Sequence, residues 1–191
     1  MLRTAFIFFL LVSVKICCAQ SKTSKVTEQD YYDFFNSLIE HDSIWIKNLS
    51  ETPFFPSSIF NSDSISPEYY LDGHSKLKIF SGEDIAFMRQ QLDSSKNFLW
   101  QENFHTNVVV ISSKELDKYF GKRKLRWDKY YKHHEGVLSS ISIPLFTQDM
   151  TECVVYIAHS CGGPCGGGCV YIYKNVNGRW IRIDQFNCWI S

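Results

Sequence analysis

The chain has 191 residues with 20 basic and 20 acidic side chains, a formal net charge of zero. That balance excludes the basic excess of a nucleic-acid binder, and the length suits one domain with a substantial hydrophobic core. Five Trp, ten Tyr and fifteen Phe supply aromatic surface for that core, or for stacking on ligands and carbohydrate.

The N-terminus reads as a secretory leader. Arg3 precedes an apolar run from Ala5 to Val14, and Cys17 and Ala19 put small residues at the −3 and −1 positions before Gln20. Cleavage after Ala19 is expected, with residues 1–19 as signal peptide, 20–26 as a disordered leader and 27–191 as a single α+β domain. The apolar run is shorter than the ~20 residues a spanning helix needs, and no later run is longer, so no transmembrane segment is expected. A lipid anchor on Cys17 or Cys18 is the alternative; Lys15 and Ile16 stand where it requires small residues. The expected location is therefore outside the cytoplasm, periplasmic or secreted. Without Arg3 and Lys15 the mature chain has two more acidic than basic groups.

Three capping boxes mark helix starts: Thr27 with Asp30, Ser81 with Asp84, and Ser112 with Glu115. After the first, Tyr31, Phe34, Phe35, Leu38 and Ile39 recur at helical spacing, and Trp45 and Ile46 continue the stripe towards Pro53. An aromatic stripe of this kind reads as core. Residues 52–71 show no period. Lys76–Phe80 is a candidate short strand, and the second box opens a helix that Asp93–Ser95 stops. Phe98–Trp100 and Val108–Ile111 read as strands. The third box starts a short helix that Gly121 is expected to end in a left-handed cap.

Residues 114–132 carry eight basic groups against three acidic ones, with Trp127, Tyr130 and Tyr131 interleaved. A helix with a solvated basic face and inward aromatics accounts for this better than an anionic partner, given the overall charge. His133 and His134 are adjacent, so they face different sides of a helix and make no chelating i, i+4 pair. Asn48-Leu-Ser50 is a glycosylation sequon, of consequence only in a eukaryotic cell.

The last fifty residues carry the clearest pattern. Ile141, Ile143 and Leu145 alternate with Ser140, Ser142 and Pro144, as in a strand with one buried face. Glu152–His159 is apolar at nearly every position, as in a strand covered on both faces. Val170–Val176 and Arg179–Ile190 flank Asn177-Gly178, a type I′ hairpin signal. Apolar parity changes between Ile183 and Phe186, which predicts a bulge near Asp184-Gln185. The architecture expected is α+β: N-terminal helices packed on an antiparallel sheet that ends in a four-strand meander.

Between the third and second strands from the end lies Cys161-Gly-Gly-Pro-Cys165-Gly-Gly-Gly-Cys169. A two-residue turn at Asn177-Gly178 places Cys169 opposite Phe186 and Cys188 opposite Gly167, within one residue. Cys161, Cys165, Cys169 and Cys188 therefore converge at one end of the sheet. Cys153 sits roughly 26 Å away along an extended strand and is expected to be a lone buried thiol. In an exported protein such a cluster implies disulfides, Cys161–Cys165 with Cys169–Cys188 or a Cys161–Cys169 clip instead. A zinc site drawn from His159, Cys161, Cys165, Cys169 and Cys188 is the rival chemistry. Gly162, Gly163, Pro164, Gly166, Gly167 and Gly168 form the candidate binding rim. No helix follows these glycines, so they are not a phosphate loop.

Ser142-Ile-Pro-Leu-Phe146, the Cys161–Gly168 stretch, Asn177-Gly-Arg-Trp180 and Trp189-Ile-Ser191 resemble, in this order, a group of small uncharacterised exported bacterial proteins. The resemblance covers about residues 137–191 and implies no activity. A sheet ending in Asn-Gly-x-Trp is also similar to the last hairpin of cystatin-like cone folds, which host both enzymes and binding modules. The functional expectation is an exported, non-catalytic binding protein that needs no cofactor and meets a protein or small-molecule ligand. A cone-fold hydrolase or isomerase drawing on His105, His133, His134, Glu135 or Asp149 is the alternative, and a structural zinc domain the second.

Overall fold

A computed structural model of the protein describes residues 25–41, 46–56, 80–121 and 126–191. The expected signal peptide, residues 20–24 of the leader, Trp45 and the candidate strand before Phe80 lie outside the described residues. Helices α1 (Glu28–His41), α2 (Gly82–Ser94), α3 (Ser113–Phe120) and α4 (Trp127–Tyr130) accompany strands β1 (Asn48–Ser50), β2 (Val109–Ile111), β3 (Leu138–Ile141), β4 (Leu145–Phe146), β5 (Glu152–Ser160), β6 (Gly166–Val176) and β7 (Arg179–Ile190). The seven strands form one sheet in the order β2-β1-β3-β5-β6-β7, with β4 also paired to β5. The α+β class stands, and β3 to β7 are antiparallel as expected. The sheet as a whole is mixed, because β1 runs parallel to both β2 and β3.

All three helix starts are capped, although the Glu115 carboxylate turns to His134 instead of reaching back to Ser112. The Thr27 amide donates to Asp30 Oδ2 at 2.7 Å, while the Asp84 and Glu115 amides donate to Ser81 Oγ and Ser112 Oγ at 3.0 and 3.2 Å. Tyr31, Phe34, Phe35 and Leu38 of α1 are buried, so the stripe is core. Phe34 meets Phe146, Tyr173 and Trp180 edge-on, with ring centroids 6.2, 5.4 and 5.3 Å away. The face of the sheet carrying those residues is thus the α1 face. On the opposite face Ile111 and Leu138 pack with Tyr119 of α3 and Tyr130 of α4.

Several expectations are corrected. The first helix stops at His41, and Ile46 is buried on the approach to β1 instead. Phe98–Trp100 is extended but joins no ladder: Trp100 donates its amide to Glu51 O at 2.8 Å and its indole N–H to Ile141 O at 3.2 Å. Val109 points outward from edge strand β2, between inward Val108 and Val110. Gly121 has φ −70° and is not a left-handed cap. A Cβ there would lie 2.5 Å from the Asp117 carbonyl, so close approach accounts for the glycine. The basic stretch is divided between α3 and α4, with Lys114, Lys118, Lys129 and Lys132 exposed.

The alternating run 140–145 is not one regular strand. Pairing sums shift by one residue between Ile141↔Ile157 and Leu145↔Val154. At this bulge Ser142 turns inward and its Oγ accepts the Tyr156 amide at 2.9 Å, replacing a missing backbone partner. Pro144, which has no N–H, suits the interruption. Hence Ser142 is 1% exposed, where alternation had placed it outside.

The Asn177-Gly178 turn forms with φ +55° and +84°, as type I′ requires. Beyond it β6 and β7 pair with two register shifts, not one: between Ile172 and Tyr173, and between Gly168 and Val170. Phe186 consequently faces Val170 rather than Cys169, while Trp189 faces Gly168 and Ile190 faces Gly167. β6 also begins earlier than expected, at Gly166, because Gly166–Gly168 pair with Ser160–Ala158 of β5.

Candidate functional site

The glycine-rich turn between β5 and β6 sits at the corner of the sheet where β7 ends. Its cysteines are joined as Cys161–Cys165 and Cys169–Cys188. The second shift in β7 brings Cys188 beside Cys169, and Asn187 accommodates it with φ +48°. Among the described residues Cys153 is the free cysteine, and it is fully buried. Burial, with the nearby Glu152 charge, holds its thiol well above the ordinary range, which suppresses the reactive thiolate.

With four sulfurs paired, the zinc set His159, Cys161, Cys165, Cys169 and Cys188 is not assembled. Among the described residues no group of three or more His, Cys, Asp or Glu side chains is placed to hold a metal. His159 instead lies on the α1 face, its Nδ1 3.0 Å from Ser139 Oγ, and burial lowers its pKa.

The cone-fold candidates do not converge. His105 accepts the Asn107 amide within its own loop. His134 lies 3.2 Å from Glu115 and stacks on Tyr130, while Glu135 pairs with Lys47 at 2.6 Å. Asp149 caps the β4–β5 turn by accepting from Thr147 and Thr151. His134 and Glu135 are neighbours in the chain but engage different partners, and His105 and Asp149 sit in separate loops with local partners of their own. The sequon asparagine Asn48 is likewise buried and donates to the Glu135 carbonyl at 2.7 Å.

The glycines of the rim serve a purpose that sequence reading missed. A Cβ on Gly162 (φ +86°) would fall 2.6, 2.8 and 3.0 Å from Cγ, Cδ1 and Cδ2 of Trp127, so that indole lies broadside on the backbone. A Cβ on Gly168 would fall 2.8 Å from Trp189 Nε1 and 3.0 Å from Tyr156 Oη. One on Gly166 would be 3.6 Å from Trp189 Cη2. Trp189 therefore lies along the glycine strip, and its N–H donates to Tyr156 Oη at 2.9 Å. Tyr131 donates its hydroxyl to the Cys161 carbonyl at 2.7 Å and packs beside Trp127. Gly163, Pro164 and Cys165 at the tip are exposed. The only hint in the sequence was that tryptophans and glycines are both abundant near this corner.

A concavity of about 450 Å³ lies at the far end of the sheet, among Asp30, Asp33, Phe34, Phe146, Asn175 and Trp180. Its aromatic floor belongs to the core, with Phe34 and Phe146 each 1% exposed, and Asp30 caps α1. It offers a ligand little apolar surface. No family model, curated protein or solved structure matches the chain. Among the described residues no helix is long and apolar enough to cross a membrane.

Proposed function

We propose that this is an exported, non-catalytic binding protein whose interaction surface is the stapled glycine-cysteine rim. The observation that carries the reading is the immobilised aromatic exposure there: Trp189 is 41% and Tyr131 43% exposed, although each is held by a specific hydrogen bond beside a disulfide. Large apolar groups fixed at a surface favour binding, because little side-chain entropy remains to be lost on contact. Two disulfides fit an oxidising compartment. The separate structural roles of His105, His133, His134, Glu135 and Asp149 argue against the hydrolase alternative; the exposed His133 ring packs near Tyr119.

The test is site-directed photo-crosslinking in cells that secrete the protein. A photoreactive side chain at Pro164 is expected to capture a partner, and one at Arg179, on the hairpin at the opposite end, is not. Identical adducts from both positions, or turnover of a generic ester or glycoside substrate by the purified protein, would refute the reading.

A further inference from the structure

The chemistry of the rim narrows the class of partner. We infer that the belt formed by Phe54, Trp189, Trp127 and Tyr131, with the buried Tyr156 supporting it from beneath, is a stacking platform for the pyranose rings of a neutral carbohydrate. This rests on the rim being the interaction surface. Register puts Tyr156 and Trp189 on the face opposite α1, where α4 also packs, so the belt lies on one side of the sheet. Phe54, 55% exposed, packs edge-on against Tyr156 at 5.8 Å, and Tyr156 in turn holds Trp189. Across the Cys161–Cys165 loop the belt continues into Trp127 and Tyr131, 5.8 Å apart and inclined at 33°.

Three features favour sugar. Residues 160–173 and 186–191, which build the strand and loop part of the corner, contain no Asp, Glu, Lys or Arg. The charges that flank Trp127 and Tyr131 (Arg126, Lys129 and Lys132 against Asp128) are the only ones adjoining these belt residues in the chain, which favours a neutral ligand on the strands and loop. The indoles rest on backbone that glycine leaves bare, which fixes them as flat surfaces before any ligand arrives. The Trp189 N–H and the Tyr131 O–H are already satisfied within the protein. What remains to offer is the apolar ring face, which suits the axial C–H groups of a pyranose. Ser160 at the end of β5 and the exposed Asn187 and Ser191 of the last strand segment supply uncharged hydrogen-bonding groups near it for its hydroxyls.

Affinity electrophoresis of the oxidised protein through gels containing a soluble β-1,4-glucan, an α-1,6-glucan, a mannan or a sulfated glucan tests this. At least one neutral polymer is expected to retard the protein, with little dependence on salt. Trp189→Ala should weaken retardation about tenfold, as should Trp127→Ala, and Trp189→Phe, which keeps a planar ring, should recover most of it. Retardation only by the sulfated polymer, none by any polymer, or equal retardation of wild type and Trp189→Ala would overturn the proposal. If the polymers fail while Trp189→Ala abolishes the Pro164 crosslink to a protein, the sugar assignment falls and the rim remains the surface. If the crosslink is also absent, both fall.

Discussion

The indole of Trp189 rests against the backbone of Gly168, where a methyl group would come within 2.8 Å of its Nε1 and 2.9 Å of Ala158 Cβ. Ala158 is set by the β5 ladder, so the indole must move and β6 must also shift by a few tenths of an ångström. Gly168→Ala is expected to cost about 1–3 kcal/mol and to expose the indole. Chemical denaturation and a red-shifted tryptophan emission would report it. Gly82→Ala, with open space around its Cβ in the first turn of α2, should be neutral or slightly stabilising.

A second relation ties α2 to the short strand β4. The Gln91 side-chain amide donates to the Phe146 carbonyl at 2.7 Å and accepts the Phe146 amide at 2.9 Å, all of it buried. It acts as the neighbouring strand that β4 lacks on that edge. Gln91→Leu would leave a buried N–H and C=O unpaired and should cost about 2–4 kcal/mol. A loss below about 0.5 kcal/mol in urea denaturation would show that water or a shifted strand replaces it.

How much was legible in the sequence follows from how local each signal is. Thr27, Ser81 and Ser112 announce helices because a cap and its partner lie three residues apart. Asn177-Gly178 announces a hairpin by its backbone preference alone, and that hairpin carries enough register to gather four cysteines. The Ser142 bulge was not legible, since alternation presumes an unbroken ladder and a serine looks solvent-facing. Nor was the Gln91 clamp, whose residues are fifty-five positions apart. The seating of Trp127 on Gly162 also depends on distant segments meeting, so the glycines read only as turn formers.

The two disulfides should contribute unequally. Cys169–Cys188 closes a separation of 19 residues and Cys161–Cys165 one of 4. Chain entropy predicts about 3 kcal/mol lost on replacing the first pair by serine and about 2 kcal/mol for the second. Hydrogen exchange should also rise in residues 186–190 for the first pair, because the bridge holds β7 beyond its second shift. Equal losses with no local exchange would contradict this account.

His159 gives stability a pH dependence of defined sign. The unfolded histidine titrates near its ordinary 6.5, and burial lowers the folded value. Between the two, the unfolded chain holds more protons, so stability rises with pH. This contribution is fully present above about 6.5 and is lost as pH falls through the folded value. His159→Gln should flatten that part of the profile in denaturation midpoints measured across the acid range. An unchanged slope would assign the dependence to other groups.

The central claim is that the rim cysteines are staples, neither metal ligands nor reactive thiols. Tandem mass spectrometry of the natively purified protein, alkylated before and after unfolding, tests it most directly. The account predicts Cys161 joined to Cys165, Cys169 joined to Cys188, no bound metal, and Cys153 alkylated only after unfolding. Four alkylatable rim thiols in the native protein, or a metal retained in place of the bridges, would contradict it.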